Sequence, residues 1–252
     1  MFGALTIAKT GLDAQQKNLD TIANNLANVN TNGFKKSRPL FEDLMYQNTA
    51  YGSANAPVGV SIGTGVRLAG VEKMFQQGTL TQTGNPLDLG IQGDGFFQVQ
   101  MPNGGVAYTR DGSFKVNSLG VITSKEGYAL NPQITVPPDA TNLMVSKEGL
   151  VTARQNGNII NLGQITLTSF ANNAGLEPTG ENLFIESVSS GPPNTANPLQ
   201  NSNGSLQQGY IEGSNVNAAE EMINMIQAQR AYELNTKVIS TADQMLAKLT
   251  NL

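Results

Sequence analysis

The 252-residue chain contains no cysteine and no histidine. Those two absences remove disulfides, thiolate nucleophiles and the commonest soft or borderline metal ligands. They also remove the usual general base near neutral pH. Charge is scarce as well: Asp, Glu, Lys and Arg make up 13% of the residues, about half the ~25% of an average globular chain. The net charge is −4, and the basic residues gather nowhere more densely than at Lys35, Lys36 and Arg38. Neither a nucleic-acid surface nor a polybasic membrane patch is built that way. Long apolar runs are missing too, so no transmembrane helix is expected. The opening MFGALTIAKTGLDAQQ breaks its apolar run at Lys9 and Thr10 and has no basic stretch before it. It does not read as a cleaved secretory signal.

What is present is Gly, Asn, Ser, Thr and Gln in quantity, with 27 glycines and 11 prolines that predict many turns. The two ends differ from this background. Leu5, Leu12, Leu19 and Leu26 recur every seven residues, with Ala8, Gln15, Ile22 and Val29 as a companion row. At the other end Met225, Tyr232, Ile239 and Leu246 recur likewise, beside Ala228, Asn235, Ala242 and Leu249. Ala231, Val238, Met245 and Leu252 widen this second stripe. Such spacing predicts two long amphipathic helices. The first is expected to stop at Asn30-Thr31-Asn32-Gly33, with Gly33 as a left-handed cap. The second is expected over 218–248, N-capped by Asn217 with Glu220 three residues on.

Between the ends the chain reads as β. Strand-like runs occur at 95–100, 143–146, 163–170 and 182–187, separated by turn signals such as Asp111-Gly112 and Asn156-Gly157. Ser-Lys-Glu-Gly occurs twice, at 124–127 and 146–149, and predicts two similar hairpin turns. Residues 36–75 fit neither regime and are expected to form an extended linker; 188–208 is expected to form a loop-rich return. The predicted fold class is therefore α+β. Residues 1–35 plus 210–252 form a discontinuous helical domain, 36–75 a connecting segment, and 76–209 a central all-β domain. Two amphipathic helices can pair with each other, yet a pair leaves apolar surface over, and such surface marks association. A head-to-tail contact that does not close makes a helical filament.

Catalytic chemistry finds little support. Gly63-Thr64-Gly65 and Gly93-Asp94-Gly95 each lack the third glycine and the following helix of a dinucleotide site. A carboxylate-based glycan hydrolase is the alternative from a different class, drawing on Asp88, Asp94, Asp111, Glu126 and Glu148. Asp94, Asp111, Glu126 and Glu148, however, each precede a turn glycine, where local hydrogen bonding explains them. No catalytic residue, cofactor or metal ligand is assigned.

Four blocks carry a resemblance. ANNLANVNTNGFKKSR (23–38) resembles the N-terminal signature of the rod and hook family of axial proteins of the bacterial flagellum. SNVNAAEEMINMIQAQRAYELNTKVISTADQML (214–246) is similar to that family's C-terminal segment, and the stretches 83–99 and 108–130 to its β core. The signature residues here are Ala23, Asn24, Asn25, Leu26, Ala27, Asn28, Gly33, Phe34 and Lys35. Within the family, 7–25, 41–47 and 62–85 point to a subunit of the distal rod, with a proximal-rod or hook-type subunit as the alternative. The start lacks a tryptophan often found there.

The resemblance implies a structural subunit that is exported by the flagellar type III apparatus without signal cleavage and polymerises with copies of itself. It implies proximal rod subunits below, hook subunits above and ring proteins as a bushing, in a hollow drive shaft crossing the periplasm. No nucleic acid or membrane insertion is implied. The terminal helices would form the inner tube, the β domain the outer layer, and 36–75 a stiffening element. Polymerisation and helix packing would then fall to Leu5, Leu12, Leu19, Ile22, Leu26, Val29, Met225, Tyr232, Ile239, Leu246 and Leu249. Asn24, Asn25 and Asn28 are expected to bond between subunits, since an amide donates and accepts without carrying charge.

Overall fold

The computed structural model describes residues 2–50, 60–201 and 203–250. It is an α+β chain with a helix at each end and a β-rich middle. The chain divides into two compact units. One is Met1–Ala27, Ser37–Lys73 and Asn217–Leu252; the other is Asn28–Lys36 and Met74–Val216.

The first unit is built on helix α1 (Phe2–Ala27) and helix α2 (Ala218–Thr250). Asn217 caps α2 as its position predicts: its side-chain oxygen accepts from the backbone N–H of Ala219 (3.1 Å) and Glu220 (3.4 Å). The helices pack against each other, with Gly11 beside Asn235 and with Ile7 and Ala8 sharing a groove with Val238. Advancing along one helix while retreating along the other is antiparallel pairing.

Residues 36–75 are not an extended linker. Ser37–Asp43 pairs antiparallel with Val66–Lys73, and beyond them Gln47–Ala50 pairs with Val60–Ile62, so the segment is a long two-stranded hairpin. Residues 51–59, part of the expected linker, lie outside the described residues. Two ion pairs span the ribbon, Arg38 to Glu72 (3.0 Å) and Arg67 to Glu42 (2.9 Å), each between register partners. They pin a register that no buried face enforces. The hairpin lies along α1 where Gly65, at φ +118°, meets Thr10, leaving no room for a side chain.

The second unit is antiparallel throughout. Its main sheet runs in the order Glu177–Gly180, Leu183–Ile185, Val106–Thr109, Phe96–Gln100, Ala129–Asn131, Ile122–Thr123, Lys115–Val116, with Leu167–Ser169 also pairing to the Phe96–Gln100 strand. The expected strand 163–170 is thus split between the end of Asn158–Gln164 and Leu167–Ser169. Alternation along the central strands sends neighbouring residues to opposite faces. Phe97, Val99 and Ala107 enter the main core with Leu130, Ile165 and Leu206. Phe96 and Tyr108 enter a second, aromatic cluster with Phe170, Leu176 and Phe184. There the rings meet edge to face, Tyr108 and Phe170 at 4.8 Å between centroids.

The two Ser-Lys-Glu-Gly copies form the same turn. Gly127 N–H donates to Ser124 O and Gly149 N–H to Ser146 O, both at 3.0 Å, with the glycines at φ +93° and +85°.

Candidate functional site

The leucine row of α1 does not occupy the centre of the helix pair. Among the described residues, Ala8, Ala14 and Ile22 are the buried apolar side chains of α1, and Ala228 and Ala242 those of α2. Leu5, Leu12, Leu19 and Leu26 flank that seam half-buried, as do Met225 and Ile239, while Tyr232 is exposed. The side chains of Leu246 and Leu249, and all of Leu252, lie outside the described residues. Ala23 and Ala27 are exposed on α1. Apart from Ile22 these buried residues are alanines, which bury little area each, and each methyl-sized group contributes roughly 0.8 kcal/mol.

Several larger apolar groups of α2 stay exposed, with Val238 at the edge of the groove it shares with Ile7 and Ala8. Ile223, Leu234, Val238 and Met245 are all at least 49% exposed. At 100° per residue they share one face, roughly a quarter-turn round from Ala228, Asn235 and Ala242. Met222 and Ile226 extend it, and the hairpin of the same unit exposes Leu40, Phe41, Met45, Tyr46, Ile62, Leu68 and Val71. Periodicity placed Val238 and Met245 at the edge of the α2 stripe but assigned Ile223, Leu234 and the hairpin residues to no surface; hydrophobicity at those positions was the available signal.

Helix α1 ends at Ala27, six residues before Gly33. Val29 therefore lies past the helix, in the turn that follows it. Gly33 is left-handed at φ +70°, but it caps no helix: an added Cβ would sit 2.7 Å from the backbone nitrogen of Asp111, so glycine permits a close crossing of two backbones.

The asparagines divide. Asn25 is 2% exposed, and both its amide functions are engaged within the chain: Nδ2 donates to Ser37 O (2.9 Å) and Oδ1 accepts from Ser37 N–H (2.8 Å). It ties the end of α1 to the start of the hairpin, and it is not presented to another subunit. Asn24 is exposed on α1; Asn28 is half-buried and accepts from Thr31 Oγ1 at 3.2 Å. Replacing Asn25 by alanine would leave both Ser37 groups unpaired, a loss of about 1–3 kcal/mol. Hydrogen exchange should show faster opening at Ser37 and its neighbours while the β unit is unchanged.

The remaining signature residues belong to the β unit, and they form a buried clasp. Lys35 Nζ donates to Glu212 Oε1 at 2.6 Å and to Gln76 O at 2.8 Å, and both charged side chains have zero exposure. Glu212 Oε1 also accepts from Gly78 N–H at 2.8 Å. Its other oxygen lies 3.4 Å from Arg110 Nη1, which donates in turn to Gly93 O at 2.9 Å. The Arg110 guanidinium stacks over Phe96, 5.2 Å from the ring centre.

Burial pushes the Lys35 ammonium below its usual range, against the attraction of Glu212; burial lowers Arg110 in the same way. Asp94, exposed at the rim, adds attraction for both at longer range. The backbone closes the clasp further: Gly33 N–H donates to Glu212 O (2.8 Å), and the Asn215 side chain accepts from Lys36 N–H (2.7 Å) and donates to Met74 O (2.8 Å). Segments 28–36, 74–78 and 210–216 are thereby laced together. Phe34 is buried at the same place.

The carboxylates weighed for hydrolysis are engaged locally or exposed at turns. Asp88 accepts from Thr83 and Asn85, Asp111 from Ser113 and Lys125, and Glu126 from Ser124. Glu148 is exposed at its turn. Among the described residues no helix is long and apolar enough to cross a membrane.

Comparison with known proteins agrees with this anatomy. Residues 5–35 match the family described as flagella basal body rod protein. Residues 90–153 match the flagellar hook protein FlgE/F/G D1 domain, and residues 207–252 the flagellar basal body rod FlgEFG protein C-terminal family. The flagellar basal-body rod protein FlgG of Buchnera aphidicola subsp. Schizaphis graminum is 50% identical over the full length of both chains. FlgG of Caulobacter vibrioides is 45% identical, covering 99% of this chain and 98% of its own. FlgF, the rod protein of that name from the same organism, is 34% identical over 97% and 95%. The chain belongs to the flagellar basal-body rod protein family.

Proposed function

We propose that this rod subunit builds the distal part of the rod, a hollow helical shaft that carries torque from motor to hook and surrounds the export conduit. Copies associate through the helical unit, with proximal rod subunits below, hook subunits above and ring proteins around them. Delivery is by the flagellar type III apparatus without signal cleavage, and the rod crosses the periplasm. Asn24 and Asn28 supply uncharged polar contacts between copies, and the hairpin stiffens the shaft.

The observation that carries this reading is the apolar face of α2 together with the exposed apolar hairpin, both on the helical unit. An enzyme needs a concave site with perturbed groups; a filament subunit needs this kind of lateral surface instead. A distal rather than proximal place is favoured by the higher identity to FlgG than to FlgF in Caulobacter vibrioides, 45% against 34%. The test is sedimentation and electron microscopy of the purified chain at rising concentration. Rods of uniform width are expected, and a chain that stays monomeric at high concentration, with no added nucleus able to elongate it, would overturn the reading.

The alanine seam carries a second consequence. Two helices held together by so little buried area should be marginal in an isolated monomer and become ordered in the polymer, where neighbours cover their apolar faces. Far-UV circular dichroism should show helix content rising on polymerisation. Equal helix content in monomer and polymer would contradict this.

A further inference from the structure

We propose that the β unit is closed last, by residues 205–216, and that residues 28–204 stay open until that segment has been made. Three features place the closing step there. Ser205–Gln208 pairs with Leu89–Gln92, and Tyr210–Glu212 pairs with Leu80–Gln82. The first of these closing strands delivers Leu206, 1% exposed, into the main core beside Ile91. Glu212 then supplies the carboxylate for two buried cations that belong to earlier parts of the chain, Lys35 and Arg110. Asn215 finally stitches Lys36 to Met74 and Gln76.

Before Glu212 arrives, collapse of the core would take the Lys35 ammonium and the Arg110 guanidinium out of water without their shared acid. A buried charge without its partner is among the costliest groups a core can hold. The open state keeps both hydrated. The closing contacts also span long stretches of chain, 177 residues between Lys35 and Glu212 and 134 between Gly78 and Glu212, so loop closure delays them further. Synthesis runs from the N-terminus, so the acid that licenses burial is delivered after the cations it neutralises. The clasp thus acts as a folding gate: the point where the chain leaves α1 and the point where it enters α2 are locked in one event, after almost the whole chain exists.

Refolding of the full-length chain from denaturant, followed by pulsed hydrogen exchange and peptide mass spectrometry, tests this. Protection at Phe96–Gln100 and Ala129–Asn131 should appear at the same rate as protection at Tyr210–Glu212. Glu212→Gln should slow that shared step by about tenfold or more, because the gate then offers no charge. Core strands protected in an earlier, separate phase would overturn the proposal, as would an unchanged rate in Glu212→Gln. If Glu212→Gln never reaches the folded state, Leu206→Ala decides. It weakens the closing strand without touching a charge; a slowed common step upholds the gate, and an unchanged common step overturns it.

Discussion

Glu212→Ala is expected to destabilise the β unit more than any other single change in the clasp. The substitution strips Lys35 and Arg110 of their shared acid and leaves the Gly78 N–H without its acceptor, all in a site of zero exposure. Removing one partner of a buried pair costs about 3–5 kcal/mol, most of it the penalty of the charge left behind. For a chain of this size each kcal/mol lowers the melting temperature by roughly 2–4 °C, so a drop of about 6–20 °C is expected.

Lys35→Met should cost less. Glu212 would keep Arg110 and Gly78 N–H, and methionine fills most of the vacated volume. A double variant, Lys35→Met with Glu212→Ala, should fall short of the sum of the singles, because with Lys35 gone the loss of Glu212 strands one buried cation instead of two. Differential scanning calorimetry ranks the three. A Glu212→Ala protein melting within about 1 kcal/mol of the parent would mean the clasp is solvated and that its buried geometry is not what holds the segments together.

How much of this was readable beforehand follows from the range of each interaction. The helices were legible because heptad spacing is local, and so was the α2 cap, which needs only Asn217 and the three residues after it. The twin Ser-Lys-Glu-Gly turns were legible for the same reason: each closes on itself through a glycine at positive φ. The hairpin at 37–73 was not. Its strands are exposed on both sides over much of their length, so the two-residue alternation that marks a half-buried strand is weak. Pro39 fits inside such a strand, because in a two-stranded ribbon each strand has a free edge where a missing N–H costs little.

The end of α1 was misplaced because Gly33 looked like a cap. The reason for that glycine is the Asp111 backbone, which lies 78 residues further along and leaves no local trace. The clasp was invisible on the same ground. Lys35 reads as one of three basic residues within four positions, and only the fold shows that it is buried while Arg38 reaches solvent. Asn25, too, looked like its neighbours Asn24 and Asn28 until its partner Ser37 was placed. The face that matters on the helices was half legible. Heptad counting found the rows that hold the buried Ala8, Ile22, Ala228 and Ala242, but it joined Val238 and Met245 to the same stripe and left Ile223 and Leu234 out, and so did not separate the second face of α2.

That second face sets up the other large effect. Ile223→Asp and Leu234→Asp should leave the subunit folded and abolish rod growth. Both side chains are more than half exposed, so neither change opens a cavity or strands a charge in the isolated chain, and thermal unfolding of the β unit should not move. In the polymer each substitution forfeits about 1.5–3 kcal/mol of apolar burial. It also places an unpaired carboxylate in a contact with no cation arranged for it, which costs at least as much again. A combined loss of about 3 kcal/mol or more at each contact raises the concentration needed for growth roughly a hundredfold or more. Leu26→Asp and Ile239→Asp would also block assembly, but those residues flank the helix seam, so loss of rods there could arise within one subunit. Val188→Asp is the control: it is a fully exposed apolar residue, but on the β unit. It should sediment as the parent does. Rods formed by Ile223→Asp or Leu234→Asp at the parent's concentration would show that this face of α2 points away from neighbouring subunits. The association surface would then have to be sought on the hairpin, through Phe41, Leu68 and Val71.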